Sequence, residues 1–231
     1  MRVRARFAKT GKLRFVSAID LGRLWERALR KADLPIAYSE GFSPHAKVGF
    51  SDALPLGYAS TGEYVELVFA APVDLDRDIA RLNHAFPDGL DVRHAVAVED
   101  GAAKMAAGLR ASVWDIDYPC AVDVAPLRDA ERLLVLRERK GDPIEVDLAP
   151  SLHCVHTDPA ARGHVRVVLH HVEPPVRPSE VHLALQLSQP DLPEPTLITR
   201  VAQGSPVDGG LVEALGGELV SPTPTPIEDR S

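Results

Sequence analysis

The sequence predicts an α+β fold in which the element order β-α-β-β-α-β occurs twice. Three observations lead to this prediction: apolar and charged residues alternate at positions 2 to 7, apolar residues follow a helical period between 17 and 34, and the same order of patterns returns after residue 108. The order is that of the ferredoxin-like split βαβ motif. We therefore expect two tandem ferredoxin-like domains, at 1–100 and 109–203, and a mostly disordered tail at 204–231.

The first predicted domain begins with a strand at 2–7 that has a wet, basic side. A turn and a further extended run, Leu13 to Val16, lead to a helix in which Ser17 is the N-cap and Asp20 the third residue. The helix ends at Leu34-Pro35. The later patterns predict short extended pieces at 35–38 and 47–50, a strand at 63–69, a helix from 72 to 86 and a strand at 90–98.

The second predicted domain follows a small-residue segment, 101–108, that suits a linker or a short helix. Its predicted elements are a strand at 111–120, a helix at 126–137, strands near 144–155 and 165–172, a helix at 178–187 and a strand at 196–201. A short helix at 210–215 is expected before the tail becomes disordered.

Positive charge is concentrated at one end of an acidic chain. The 231 residues carry a net charge of −7, yet the first 50 hold 11 Lys/Arg against 4 Asp/Glu (+7), and the other 181 hold 15 against 29 (−14). Such asymmetry usually marks a partner-binding surface. No apolar run approaches the roughly 18 residues that span a bilayer, and the alternating start is unlike a signal peptide. We expect a cytoplasmic protein.

The basic residues of the first domain predict an RNA-binding surface. Clustered Lys and Arg bind phosphates, and the aromatic rings of Tyr38 or Phe42 add a surface on which a base can stack. Two alternatives remain open: a solvated helix face with internal ion pairs to Glu26, and a basic surface for an acidic protein partner. The basic set consists of Arg4, Arg6, Lys12, Arg14, Arg23, Arg27, Arg30, Lys31 and Lys47.

The loop after the first helix offers hydrogen-bond donors on a backbone constrained by Gly41 and Pro44. Side chains of this kind suit an anion or the edge of a base. The candidate residues are Ser39, Gly41, Phe42, Ser43, His45 and Lys47. His45 is also a candidate general acid or base toward a ribose 2′-hydroxyl, although a lone loop histidine is more often structural. Ser17 and Asp20 are explained by helix capping, and we expect no catalytic role for them.

The sequence predicts no resident cofactor. Cys120 and Cys154 have no CxxC partner, which excludes a self-contained iron-sulfur site and argues against a disulfide framework. A zinc site is conceivable in the second half, but strand alternation separates its candidate ligands, which are His153, Cys154, His156, His164, His170 and His171. Four carboxylates lie two residues apart in two pairs and are interpreted as lying on the solvent-exposed faces of strands: Asp115, Asp117, Glu145 and Asp147. No P-loop, Rossmann or GxSxG motif occurs.

Short segments of the first 70 residues together resemble the radical-SAM-linked protein family. They are Lys12–Ser17, Asp20–Leu21, Glu26–Ala32, Leu34–Ser39, Gly41–His45, Leu54–Gly57 and Gly62–Tyr64. The resemblance implies a radical SAM enzyme as partner, and this enzyme would supply any metallocofactor. It also implies a ribonuclease of the E/G type as a second candidate partner. The family usually has a histidine after the capping serine, whereas this chain has Ala18.

Three functions follow as hypotheses. The first is a non-catalytic RNA-binding accessory protein that presents RNA to the radical SAM enzyme for modification or processing. The second is a protein-interaction domain that docks on that enzyme without RNA. The third is a metal-independent endoribonuclease that uses His45. The RNA species and the reaction stay open.

Overall fold

The computed structural model describes residues 1–99, 101–139, 141–157, 161 and 163–220. The described chain is a mixed α+β structure with four α-helices and mostly antiparallel strands. It forms two compact units. The first contains Met1–Gly108 with Ala214–Gly217, and the second contains Leu109–Glu213 with residues 218–220. In the described residues, no helix has the length and apolar character needed to cross a membrane.

The first unit packs two helices on one face of an antiparallel sheet. Its strands lie in the order β4-β1-β3-β2. Val3 and Phe7 of β1 pack with Trp25 and Leu29 of α1 and Leu82 of α2 in one apolar core. The elements are β1 (Arg2–Lys9), a 3-10 turn (Gly11–Phe15), α1 (Ala18–Lys31), β2 (Val48–Phe50), β3 (Ala59–Val68), α2 (Leu75–Ala85), β4 (Leu90–Val98) and a second 3-10 turn (Met105–Gly108).

The predicted elements of the first unit are confirmed except in one segment. The extended run expected at Leu13 to Val16 is wrong, because Gly11–Phe15 forms a 3-10 turn. Gly11 has φ of +56°, which begins a tight change of direction between β1 and α1. Leu13 then packs against the core cluster, whereas Lys12 before it is exposed. The strand expected at 63–69 begins four residues earlier, at Ala59.

The second unit has a larger antiparallel sheet and a separate hairpin. Its sheet strands lie in the order β8-β9-β5-β10, with β11 beside β10 and β12 beside β11. Among the described strands, β6 pairs with β7 alone. The elements are β5 (Ala111–Asp117), α3 (Ala125–Asp129), β6 (Leu134–Arg139), β7 (Asp142–Asp147), β8 (Leu152–Thr157), β9 (His164–His170), α4 (Pro178–Ser188), β10 (Leu197–Val207), β11 (Gly210–Glu213) and β12 (Leu219–Val220).

The helix expected at 126–137 is wrong in its second half. Only Ala125–Asp129 is helical, and Leu134–Arg139 is a strand that pairs with β7 in the register Val135 to Val146. Residues 133–136, Leu-Leu-Val-Leu, are all apolar, so they fit both the helical and the strand period. Burial follows the strand period, since Val135 is buried and Leu136 is 64% exposed.

The region from 204 onward is more ordered than expected. β10 continues to Val207, and a tight turn through Gly209, with φ of +77°, leads into β11 where a helix was expected at 210–215. Asp208-Gly209 is a hairpin turn signal, which explains the reversal. The part of the predicted tail at 221–231 lies outside the described residues.

Candidate nucleic-acid interface

The arginines of β1 lie on the sheet face opposite the helices. Because Val3, Ala5 and Phe7 point into the core, the alternation of a strand directs Arg4 and Arg6 to the other face. This placement separates these two arginines from those of α1, although the sequence predicted one basic surface.

Arg4 and Arg6 already make hydrogen bonds within the first unit. Arg4 Nε donates to the Glu66 carboxylate at 2.8 Å, and its Nη2 donates to the carbonyl of Ala103. Arg6 Nε donates to the carbonyl of Thr61 at 2.9 Å. The Arg4 side chain is only 14% exposed. These contacts give both arginines a structural role in holding neighbouring segments against β1.

The 3-10 turn before α1 presents a cation and an aromatic ring together. The guanidinium carbon of Arg14 lies 4.7 Å from the centroid of the Phe15 ring, which is 61% exposed. The turn is held to the rest of the unit because Gly57 N–H donates to the carbonyl of Arg14 at 2.9 Å. Lys12 is exposed on the same turn. An arginine stacked on an exposed aromatic ring offers a surface on which an unpaired base can stack.

The N-cap of α1 is confirmed. Asp20 N–H donates to Ser17 Oγ at 3.1 Å, and Ser17 Oγ in turn donates to the Asp20 carboxylate at 2.8 Å. The pKa of Asp20 is lowered by the Ser17 hydrogen bond and by Arg23, whose Nη1 lies 3.0 Å from Oδ1. Both residues are thus engaged in the helix start, as the sequence predicted.

The outer side of α1 carries an exposed basic stripe. Arg23, Arg27, Arg30 and Lys31 are exposed, whereas Trp25, Ala28 and Leu29 on the inner side are buried. The helix contains four cations and two carboxylates, Asp20 and Glu26, so its net charge is +2. Arg23, Arg27 and Lys31 follow an i, i+4, i+8 spacing and therefore lie along one side of the helix.

An open groove of about 360 Å³ continues the stripe between α1 and α2. Alanines form much of its lining, and its polar residues are Lys31, Arg81 and His84. Arg81 shares the Asp78 carboxylate with Arg77, which is the closer partner at 2.9 Å against 3.4 Å. Among the described residues that line the groove, Lys31 and Arg81 carry positive charge and none carries a carboxylate.

The loop 39–45 is closed by its own hydrogen bonds. Ser39 N–H donates to the carbonyl of His45 at 2.8 Å, and His45 N–H donates to Ser39 Oγ at 3.0 Å. Gly41 has φ of +127°, a conformation open to glycine. The tip is exposed: Phe42 has no protection from solvent, and Ser43, His45 and Lys47 are exposed. Tyr38 at its base is 47% exposed.

The described histidines and cysteines of the second unit form no metal-ligand cluster. Nε2 of His153 lies 2.8 Å from the carbonyl of Val207, and Nδ1 of His171 lies 2.7 Å from that of Leu109. Burial raises the pKa of the half-buried Cys154 thiol. These groups make structural contacts instead of facing a common ion.

Asp115 and Asp117 are not simple wet-face residues. In the β5–β9 register they stand opposite Arg166 and His164, respectively. Arg166 makes two hydrogen bonds to Asp115, at 2.6 and 2.7 Å, and Nδ1 of His164 lies 2.7 Å from Asp117 Oδ1. Asp147 accepts backbone N–H groups at the β7 end, whereas Glu145 is exposed as expected. These carboxylates stabilise the sheet.

Residues 2–178 match the family described as "uncharacterized protein conserved in bacteria" (DUF2344). The match covers more than half of the chain. The chain belongs to DUF2344. A search of curated proteins found no match. The DUF2344 match includes the whole first unit up to Gly108, and therefore α1, the 3-10 turn and the loop 39–45.

Sequence reasoning missed several residues in this DUF2344 protein. Phe15 sits in a run that was expected to be a strand, and Arg81 and His84 join Lys31 only when α2 packs beside α1. Lys9 was left out of the predicted basic set, but it ends β1 and is only 2% exposed. The available signal was the alternation itself, because Lys9 follows Val3, Ala5 and Phe7 on the side of β1 that faces the core.

Proposed function

We propose that this DUF2344 protein is a non-catalytic RNA-binding accessory factor of a radical SAM enzyme, acting in RNA modification or processing. The observation that carries the proposal is the exposed stripe Arg23, Arg27 and Lys31, which leads into the groove with Arg81 and His84. Phosphates of a single strand follow such a stripe, and the Phe15 and Phe42 rings offer stacking surfaces nearby in sequence. The resemblance of residues 12–64 supports the choice of partner.

We also propose that both units are ferredoxin-like domains in tandem. The order β4-β1-β3-β2 in the first unit supports this, since the split βαβ motif places its strands in the same way. In the second unit the order β10-β5-β9-β8 supports it when the β6–β7 hairpin is treated as an insertion.

The proposal is tested by measuring RNA affinity against salt concentration. Removing Arg27 and Lys31 together (R27A/K31A) is expected to weaken binding of a single-stranded RNA and to reduce the slope of log K against log salt by about 1.4, since each phosphate contact contributes about 0.7. The matched control, R93A/R132A, removes two cations that are exposed elsewhere. Absent or salt-independent binding, or equal loss in both variants, would overturn the proposal.

The same RNA assay tests the endoribonuclease alternative. The His45 side chain is exposed, two residues before the exposed Lys47. Cleavage without added metal that disappears in His45→Ala would replace the accessory role with a catalytic one. Intact RNA after binding supports the accessory role.

A docking role without RNA is the second candidate, and the complete exposure of Phe42 favours it. A phenylalanine on a loop tip suits an apolar socket in a protein partner. Phe42→Ser is expected to abolish co-purification with the radical SAM enzyme after nuclease treatment. Retained RNA affinity in that variant would separate docking from RNA binding, and unchanged co-purification would remove this candidate.

A further inference from the structure

A small cavity lies in the first unit beside the end of β1. Its volume is about 70 Å³, and it is lined by residues of β1, of the start of α1 and of the segment 50–54, together with Glu63 and Tyr64 of β3. Phe7, Leu21 and Phe50 make much of its wall apolar. Lys9 and Ser51 interrupt that wall with hydrogen-bond donors, and the carboxylates of Asp52 and Glu63 also line the cavity. A cavity of this size holds about two waters, or a planar group of three to four heavy atoms.

Lys9 is the first donor. Its residue is 2% exposed, and Nζ donates to the carbonyl of Val16 at 2.8 Å. An ammonium carries three donors, and a buried charge is costly unless acceptors surround it. Burial lowers the pKa of Lys9, and the nearby Glu63 carboxylate opposes that shift. The Val16 bond uses one donor, so the cavity side of Nζ calls for a further acceptor.

Ser51 is the second donor. Its Oγ is shielded from solvent and has no hydrogen-bond partner among the described residues. The backbone holds it in place, since Ser51 N–H donates to the carbonyl of Tyr64 at 2.9 Å. A buried hydroxyl without a partner is unfavourable, and a bound acceptor would satisfy it. Lys9 and Ser51 thus present donors to the same space.

We propose that this cavity binds a small ligand through a carbonyl-type oxygen, as found in a carboxamide or a carboxylate, with Lys9 and Ser51 as its hydrogen-bond donors. The apolar walls receive the carbon body of the ligand. The buried Glu63 and the exposed Asp52 both line the cavity, so their negative charges offset that of Lys9 and favour a neutral carboxamide over a carboxylate. The site is separate from the basic stripe and does not depend on RNA binding.

Trp25 is a built-in reporter for this cavity. Its ring centroid lies 5.1 Å from that of Phe7 and 5.9 Å from that of Phe50, and both of these rings line the space. The other tryptophan of the chain, Trp114, belongs to the second unit. Full-length protein labelled with 5-fluorotryptophan therefore gives one ¹⁹F resonance near the cavity and one internal reference.

The experiment titrates acetamide and, separately, acetate while both resonances are followed. We expect a saturable shift of the Trp25 signal with a dissociation constant on the order of millimolar, as suits a four-atom fragment, and no shift of Trp114. Lys9→Met, which removes the charge and the donors but keeps an unbranched side chain only one atom shorter, is expected to weaken binding at least tenfold. Lys104→Met removes an exposed lysine of the first unit that does not line the cavity, and it is expected to leave binding unchanged.

Each outcome of the titration either supports or contradicts the proposed site. Saturation by acetamide or by acetate alone supports the site and decides the charge of the head group. No Trp25 shift up to about 100 mM of either compound, or an equal shift in Lys9→Met, overturns it. If Lys9→Met fails to fold, Ser51→Ala decides the matter, because unchanged affinity in that variant contradicts the proposed donor pair.

Discussion

Arg4 on β1 stands directly opposite Glu66 on β3, and its Nε donates to the carboxylate at 2.8 Å. This cross-strand pair neutralises an arginine that the sequence placed with the RNA-binding set. The exposed cations of the stripe on α1 are therefore more available to bind RNA than the arginines of β1. Mutations in the stripe are expected to reduce RNA affinity, whereas mutations in β1 are expected to reduce stability.

Arg4→Ala is expected to reduce stability without reducing RNA affinity. The variant loses a partly buried ion pair and the hydrogen bond to the Ala103 carbonyl, which together contribute about 1–2 kcal/mol. Urea unfolding measures the first effect and RNA titration the second. A loss of affinity as large as that of R27A/K31A would show that the sheet face binds RNA.

Ser17→Ala is expected to lower the free energy of unfolding by about 1 kcal/mol through the loss of the α1 cap. Ser17→Thr or Ser17→Asp restores an acceptor for Asp20 N–H and is expected to recover most of that loss. Chemical denaturation of the three variants checks the order. A Ser17→Ala variant with full stability would contradict the capping role.

Arg137→Ala is expected to be the most destabilising of these substitutions. Arg137 pairs with Glu180, and their side chains are 10% and 3% exposed, so removing one partner leaves a buried charge at a cost of about 3–5 kcal/mol. Arg132→Ala is the control, since its side chain is 73% exposed and lies 3.7 Å from Asp147. Similar unfolding midpoints for both variants would disprove the expected difference.

Stability is expected to fall as the pH rises from about 6.5 through 9. Asp115 and Asp117 raise the pKa of His164 to about 9, from 6.5. Protonated His164 thus stabilises the folded state fully below the unfolded pKa, and this contribution, on the order of 3 kcal/mol, is lost through the folded pKa. Urea unfolding across pH 6 to 10 measures it, and His164→Gln should flatten this part of the profile. A profile that stays equally steep in that variant assigns the effect to another group.

The spacing of apolar residues predicted the helices and strands in which buried side chains recur with a single period, either helical or extended. The α1 residues Trp25, Ala28 and Leu29 meet at helical spacing, and Leu90–Val98 forms the strand expected there. Leu134–Arg139 was ambiguous because consecutive apolar residues satisfy both periods, and pairing with β7 decided it.

The sequence by itself determined the concentration of positive charge in the first 50 residues, the capped helix α1 and the order of elements in the first unit. Only the tertiary structure decided that Arg4 and Arg27 lie on opposite sides of the sheet, that Lys31 meets Arg81 in one groove, and that Lys9 is buried at a cavity. The physical reason is that charge and periodicity are local properties. Burial and pairing depend on which elements pack together, and residues distant in sequence determine that packing.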